Sequence, residues 1–121
     1  MKIKVIGKQI YDDYEEKIEQ EFENAEIKLN DIIFVKYAEG EIKYNKSNNV
    51  VEIKKFDNNI IVELNKEKKV NYNTPYGIID LKTFGENIYI SENPFRLVIT
   101  YRIIMNDTMD YKNIVEILNV D

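Results

Sequence analysis

The chain has 121 residues and carries a formal net charge of -5 at pH 7, with no Cys, His or Trp. The absence of Cys and His excludes disulfides, thiolate and imidazole catalysis, and the common zinc and iron–sulfur ligand sets. The acidic balance argues against nucleic acid as a partner, because phosphate backbones attract basic surfaces. No apolar stretch reaches the length of a signal peptide or a membrane span, so we expect a cytoplasmic protein without a membrane partner.

The composition favours strands over helices. Ile, Val and Thr contribute 20, 9 and 4 residues, whereas the strong helix formers Ala and Leu contribute 2 and 5. β-branched side chains fit the pleated surface of a sheet and lose rotamer freedom in a helix. A chain of this length can bury about two thirds of its unfolded surface, so we expect residues 1–121 to form a single domain.

The first predicted element is a strand over residues 2–11, which is followed by a turn at Asp12-Asp13. Residues 14–29 fit two structures, because their apolar side chains recur at every fourth residue and so share a face in a helix and in a strand. The density of Glu favours a helix, whereas the alternation over residues 26–29 favours a strand. The residues alone leave both alternatives open.

Beyond residue 31 the turn residues are closely spaced, as antiparallel sheets require. Turns are predicted at Asp57-Asn58 and Asn106-Asp107, a mobile loop or loose hairpin over residues 39–49, and a break in a strand near Gly85. The strands are predicted over residues 32–37, 50–56, 59–64, 68–73, 76–84, 87–90, 95–105 and 109–120.

The longest of these segments indicate a barrel. In the segment 95–105 every second residue is apolar, so one face of this strand would form the interior. Strands of about ten residues exceed the usual five or six and are typical of tilted barrel strands. We therefore predict an all-β fold, an antiparallel β-barrel of about eight to ten strands.

One segment has a specific turn pattern, Tyr72-Asn73-Thr74-Pro75-Tyr76-Gly77. Pro75 presets φ at the second position of a turn, the Thr74 hydroxyl can bond to its own backbone, and Gly77 permits the exit into the next strand. Thr74, Pro75, Tyr76 and Gly77 are therefore predicted to form a structural turn between two strands.

This segment resembles the signature of the YwiB-like family, small uncharacterised bacterial proteins. In that family a Tyr-x-Thr-Pro-Tyr-Gly turn is preceded by a Tyr-x-Glu-like element and followed by an apolar-x-Ile-x-Tyr strand. Here these elements are residues 72–77, 36–39 and 97–101, and the resemblance spans residues 32–119. It implies a calycin-type, lipocalin-like β-barrel, favours strands over residues 14–29, and implies no reaction.

Two positions depart from the family pattern. Family members tend to carry an Arg-x-Gly element on the strand that corresponds to residues 59–64, where this chain has neither Arg nor Gly. Asn24 lies where a Gly is often found between the first strands. A site that depends on the missing Arg is therefore not carried over to this chain.

The candidate site consists of aromatic and basic side chains near the predicted barrel interior. Tyr37, Tyr72, Tyr76 and Tyr101 would supply apolar walls with hydroxyl tips, and Arg102, if it faces inward, would meet an anionic group. A barrel of about eight strands is either filled by side chains or just wide enough for one small ligand. We therefore expect a small apolar or anionic ligand; the alternative is that these tyrosines are ordinary core and rim residues.

A second hypothesis is a structural or protein–protein interaction module. Residues 50–53 and 60–64 are apolar on both strand faces, which indicates cover by a neighbouring segment or a homodimer contact through an exposed strand surface. Catalysis is the least favoured function, because carboxylate pairs such as Glu39 and Glu41 are typical of solvated faces and neither Ser has a base to activate it. We expect no enzyme activity, no cofactor and no metal site.

Overall fold

The computed structural model describes residues 1–105 and 109–121, and all of its regular secondary structure is β-strand. The prediction of an all-β fold is therefore confirmed. The described residues include no helix, and hence none that is long and apolar enough to cross a membrane. The strands are β1 (Ile3–Ile10), β2 (Glu15–Phe22), β3 (Glu26–Leu29), β4 (Ile32–Tyr37), β5 (Gly40–Asn45), β6 (Val50–Lys55), β7 (Asn58–Glu63), β8 (Glu67–Thr74), β9 (Gly77–Glu92), β10 (Phe95–Met105) and β11 (Met109–Asn119).

The strands form two antiparallel sheets. One sheet has six strands in the order β2-β1-β11-β10-β9-β8, and the other has five in the order β3-β4-β5-β6-β7. The prediction of one closed, lipocalin-like barrel is therefore wrong, because within the described ranges no strand ladder joins an edge of one sheet to an edge of the other. The chain passes from β7 to β8 through residues 64–66, where Asn65 has a φ of 62°, and this corner ends the ladder of β7 before β8 begins.

Residues 14–29 form two strands and no helix. β2 pairs with β1 over its whole length, and β3 pairs with β4 in the other sheet. Asn24 lies at the corner between β2 and β3 with a φ of 59°, a conformation that Gly adopts at least cost and that Asn tolerates. The strands that the resemblance implies here are confirmed, and Asn24 occupies the left-handed corner where the family often has Gly.

Two segments differ in kind from the sequence prediction. The polar segment 39–49 contains a packed strand, β5, because Ile42 and Tyr44 alternate onto the inner face and are buried there. β9 is one strand of 16 residues, and the predicted break near Gly85 is a bulge in its pairing with β10. The turn predicted at Asn106-Asp107 lies outside the described residues.

The core lies between the sheets and contains alternate residues of both. The alternation predicted for the segment 95–105 is confirmed, since Leu97, Ile99, Tyr101 and Ile103 are buried on the inner face of β10. Each fully buried aliphatic side chain stabilises the fold by about 1.5–3 kcal/mol relative to exposure. The aliphatic side chains with no exposed surface are Ile3, Ile33, Val35, Ile42, Val51, Val62, Leu97, Ile99 and Ile117.

Backbone contacts tie β7 of one sheet to β8 and β9 of the other, and we term this region the closed side. The backbone N–H of Asn65 donates to the carbonyl oxygen of Gly85 at 2.8 Å. A Cβ atom on Gly85 would lie 2.6 Å from the carbonyl oxygen of Glu63, so only Gly allows this approach. The closed side therefore depends on a missing side chain at Gly85.

Two polar side chains reinforce the closed side. The fully buried Thr83 on β9 donates its hydroxyl to the carbonyl oxygen of Ile61 at 2.5 Å. Asn58 on β7 pairs with the backbone of Asn73 on β8, accepting from its N–H at 2.8 Å and donating to its carbonyl at 3.3 Å. These bonds satisfy groups that would otherwise be unpaired at the edges of the two sheets.

Candidate functional site

A cleft of about 370 Å³ lies between the inner faces of the two sheets and reaches the exposed edge strand β2. The cleft extends across the six-stranded sheet, from β2 at one edge to Tyr72 on β8 at the edge that belongs to the closed side. We term the β2 edge of this cleft the open side. Side chains of β1, β2, β8, β10 and β11 face side chains of β4 to β7 across it. Its volume is in the range of small-molecule sites.

Four polar side chains form a row across the inner face of the six-stranded sheet, and we term them the polar row. Gln9 on β1 is opposite both Glu16 on β2 and Asn113 on β11, and Asn113 is in turn opposite Tyr101 on β10. The row runs from an exposed carboxylate through two half-buried amides to Tyr101, which is 1% exposed. Inner faces of packed sheets are normally apolar, because polar groups are costly to bury, so this row marks a candidate binding site.

Hydrogen bonds hold the polar row in place. Asn113 Nδ2 donates to the hydroxyl oxygen of Tyr101 at 2.8 Å. Gln9 Oε1 accepts from the hydroxyl of Tyr11 at 3.0 Å, and the Tyr11 ring stacks on Tyr111 with 4.9 Å between ring centroids. The two amides are thereby oriented before any ligand arrives.

Tyr101 is the innermost group of the polar row. Burial raises the pKa of its hydroxyl, and the hydrogen bond from Asn113 opposes this shift only in part. The hydroxyl therefore stays neutral at physiological pH. Within the described part of the chain it accepts from Asn113 and donates to no protein group, so its proton is available to a ligand.

Next to the polar row lies a row of apolar residues in which one position, Gly7, has no side chain. Gly7 is opposite Ile18 on β2 and Val115 on β11, and Val115 is opposite Ile99 on β10. A Cβ atom on Gly7 would meet no other atom within 4 Å, and Gly7 does not have a positive φ. The missing side chain at Gly7 therefore contributes open space to the cleft.

The facing wall of the cleft is apolar and aromatic. Ile42, Ile53 and Ile60 supply aliphatic surface from β5, β6 and β7. Apolar area of this kind favours a ligand that brings apolar surface of its own, because both surfaces then leave water.

Charges of both signs lie at the mouth of the cleft. Glu16 ends the polar row on β2, and Lys55 lines the opposite wall with its Nζ 3.9 Å from Glu39 Oε2. Ile18 and Phe56, which also line the mouth, are 68% and 79% exposed. At the mouth, the apolar side chains of Ile18 and Phe56 are therefore exposed to solvent between the carboxylate of Glu16 and the ammonium group of Lys55.

Three of the five predicted ligand-binding residues come together in the cleft. Tyr101 belongs to the polar row, and Tyr37 and Tyr72 line the cleft from β4 and β8. The Tyr37 ring packs on Phe22 with 4.9 Å between centroids. Burial, and to a lesser extent the carboxylate of Glu39, raises the pKa of Tyr37 and keeps its hydroxyl neutral.

The other two predicted residues lie outside the cleft. Tyr76 is fully exposed at the tip of the turn between β8 and β9. Arg102 is on the outer face of β10, because the inner face of this strand belongs to the odd-numbered residues. Its guanidinium donates to both carboxylate oxygens of Asp110, at 3.0 and 2.6 Å. Arg102 therefore cannot meet an anionic group inside the cleft.

The predicted turn residues connect β8 and β9, with Thr74 as the last residue of β8 and Gly77 as the first of β9. The hydroxyl of Thr74 accepts from the backbone N–H of Tyr76 at 3.2 Å and donates to the carbonyl of Gly77 at 2.7 Å. Gly77 has a φ of 124°, which other residues rarely adopt. This segment connects two strands and contributes nothing to the cleft.

The acidic pairs considered in the sequence face Lys side chains. Glu39 and Glu41 lie 3.9 and 3.7 Å from the Nζ atoms of Lys55 and Lys54, respectively. Among residues 1–105 and 109–121, no three acidic side chains converge in a way that could hold a metal ion.

The sequence prediction missed Gly7, Gln9 and Asn113. On the inner face of β11, Asn113 is followed at every second position by the apolar residues Val115 and Ile117. A polar residue in such an alternating apolar series could have indicated a functional position. Gly inside a strand is a second signal, since it marks a bulge, a close approach or a gap. Neither signal shows by itself that the residues are neighbours.

Comparisons with known proteins agree with this fold. A family profile described as "Domain of unknown function (DUF1934)" matches residues 3–117. The crystal structure of the YwiB protein from Bacillus subtilis is similar, with a TM-score of 0.62 and 13% sequence identity over 99% of this chain and 91% of that chain. At this identity the likeness shows the fold alone. No curated protein matches the sequence.

Proposed function

The chain belongs to the family Domain of unknown function (DUF1934), as the YwiB-like resemblance implied, and we propose that it binds a small, largely apolar ligand between its sheets without catalysis. The observation that carries the proposal is the polar row beside the open space at Gly7. A fold that needed only a packed core would fill such a space with an apolar side chain, because voids cost stability.

The walls of the cleft define the chemistry of the proposed ligand. Its apolar part would contact Ile42, Ile53 and Ile60, and an uncharged hydrogen-bonding group would meet the Tyr101 hydroxyl and the Asn113 amide. Of the two ligand types predicted from the sequence, this favours the apolar one. An anionic ligand would lose the contribution of Arg102, which faces outward.

The absence of catalysis is part of the proposal. Among the described residues that line the cleft, Glu16 is the one carboxylate, whereas hydrolysis by paired carboxylates needs two. Tyr101 is a poor base, because burial raises its pKa and keeps the proton on the hydroxyl. The groups of the cleft are suited to hold and orient a molecule.

A fluorescence titration with N-phenyl-1-naphthylamine, an uncharged apolar probe with one N–H group, tests the proposal on the full chain. We expect saturable binding with one site per chain. The variant Gly7→Leu places a side chain in the open space and should lower the affinity by about tenfold or more. Gly7→Val provides a smaller step if the Leu variant folds poorly, as judged by thermal melting.

Lys8→Leu is the matched control, because it adds the same side chain one residue along β1 on the opposite face of the sheet. We expect it to leave the affinity unchanged. The proposal is contradicted if folded Gly7→Leu or Gly7→Val binds the probe as tightly as the unmodified chain, or if the unmodified chain shows no saturable binding.

A further inference from the structure

The edge strand β2 has a free side along its whole length within the described structure. It pairs with β1 on one side and is an outer strand of the six-stranded sheet on the other. Every residue from Glu15 to Glu21 is exposed, including Ile18 at 68%. An exposed edge of eight residues with a central apolar side chain is a template for pairing with another strand.

We propose that this edge binds a second copy of the chain, with the two β2 strands antiparallel about a two-fold axis through Ile18. In this register Ile18 lies opposite its own copy. Lys17 of each chain lies opposite Glu19 of the other, which gives two ion pairs related by the axis. Opposite charges and apolar side chains directly across an antiparallel pair are both stabilising.

Charge complementarity selects this register over its neighbours. An axis through Lys17 would place that Lys opposite itself, and an axis through Glu19 would do the same with a carboxylate. In the Ile18 register the remaining charge conflict is Glu15 opposite Glu21. The latter is already paired with Lys2, whose Nζ lies 3.0 Å from its carboxylate.

The same pairing covers the exposed apolar surface at the open side. A two-fold axis perpendicular to the sheet keeps the inner faces of both sheets on one side, so the two Ile18 side chains cover each other at the mouths of the clefts. Charged edge strands usually prevent association, because like charges meet across the strand pair. Here the order of Lys17 and Glu19 brings opposite charges together when β2 pairs with its own copy, whereas a strand with another charge pattern would place like charges opposite each other. A single strand pair is small for an interface, so the dimer should be weak and concentration-dependent.

Sedimentation equilibrium of the full chain at low salt, over a range of concentrations, tests the proposal with charge reversals. Lys17→Glu places two Glu side chains opposite each other at both pairs, and Glu19→Lys does the same with Lys. Each variant alone should weaken the dimer by about tenfold or more. Within one chain the two side chains form an exposed ion pair, with 3.7 Å between Lys17 Nζ and Glu19 Oε1. Exposed pairs of this kind contribute little stability, so the fold should tolerate either change.

Complementation distinguishes this interface from any other. An equimolar mixture of the two variants restores both ion pairs and should form a heterodimer, and the double variant Lys17→Glu/Glu19→Lys should dimerise like the unmodified chain. The proposal is overturned if the unmodified chain is monomeric at its highest soluble concentration. It is equally overturned if a single variant dimerises as well as the unmodified chain, or if the mixture fails to associate.

Discussion

The closed side and the open side differ in how the two sheets approach each other, and a glycine faces the other sheet in each region. On the closed side Gly85 removes a Cβ atom that would lie 2.6 Å from the carbonyl oxygen of Glu63, so the backbones come into contact. In the cleft a Cβ atom on Gly7 would meet nothing within 4 Å, so open space separates the sheets there. Gly is therefore required for the contact at residue 85, whereas the separation of the sheets at residue 7 does not depend on it.

The polar groups follow the same division. On the closed side the polar atoms are bonded to one another across the sheets, as between Thr83 and Ile61. In the cleft the side chains of Tyr101 and Asn113 bond to each other within one sheet, and the Tyr101 hydroxyl keeps its proton free toward the space between the sheets. Polar groups that bond to each other hold the two sheets together. A hydroxyl group whose proton is unused can instead donate a hydrogen bond to a ligand. Three predictions test this contrast.

The largest effect is expected from Gly85→Ala. The new Cβ atom would clash with backbone atoms of Glu63 and Leu64, which cannot move without opening the closed side. We expect the free energy of unfolding in urea to fall by about 2–3 kcal/mol. Gly7→Ala is the matched control and should show no such loss. Equal effects of the two substitutions would contradict the division into a closed and an open side.

The next effect concerns Tyr101, whose pKa is raised above 10.0 by burial. Below pH 10 the hydroxyl is neutral in both the folded and the unfolded chain, so its full stabilising contribution is present. Above that pH the unfolded chain releases the proton and the folded chain retains it. The free energy of unfolding should therefore fall as pH rises, by at most about 1.4 kcal/mol per pH unit from this group.

Unfolding curves of Tyr101→Phe and the unmodified chain between pH 9 and 11 isolate this contribution, because every other titrating group is common to both. The variant should lose stability less steeply. Tyr76→Phe, at a fully exposed position, is the matched control. Parallel pH dependences for the unmodified chain and Tyr101→Phe would indicate that water reaches the inner end of the cleft freely.

The smallest effect is expected from Gly7→Val. Gly7 lies in a strand without a positive φ, so a β-branched residue removes conformational freedom from the unfolded chain without strain. We expect a gain of about 0.5–1 kcal/mol in the free energy of unfolding, together with weaker binding of the probe. A gain in stability at the expense of binding is typical of a functional site. A destabilised variant would contradict the presence of open space at Gly7.

Local patterns were sufficient for most of the strands. The alternation over residues 95–105 predicted β10 to the residue, since its inner face is uniformly apolar. The segment 39–49 was misinterpreted because its polar residues outnumber Ile42 and Tyr44, the two that carry the alternation. The absence of a closed barrel could not be predicted, because the chain leaves one sheet for the other at the corners of Asn24 and Asn65, and a local conformation at each corner decides which strands can pair.

The candidate site was predicted only in part. Tyr37, Tyr72 and Tyr101 were identified by residue type, which suits the wall of a cleft. The polar row could not be predicted, because Gln9 and Asn113 are far apart in the sequence and become neighbours only through the register of β1 and β11. Arg102 was misassigned for a simpler reason: its position relative to Tyr101 places it on the opposite face of β10.

The most direct test of the account is the location of the probe on the molecule. Chemical-shift mapping of the full, isotopically labelled chain titrated with N-phenyl-1-naphthylamine provides it. The account predicts that the largest shifts occur at Gly7, Tyr101 and Asn113. Shifts confined to the exposed apolar residues Ile78 and Ile79 on β9, with the cleft signals unchanged, would contradict the claim that the space between the sheets is a binding site.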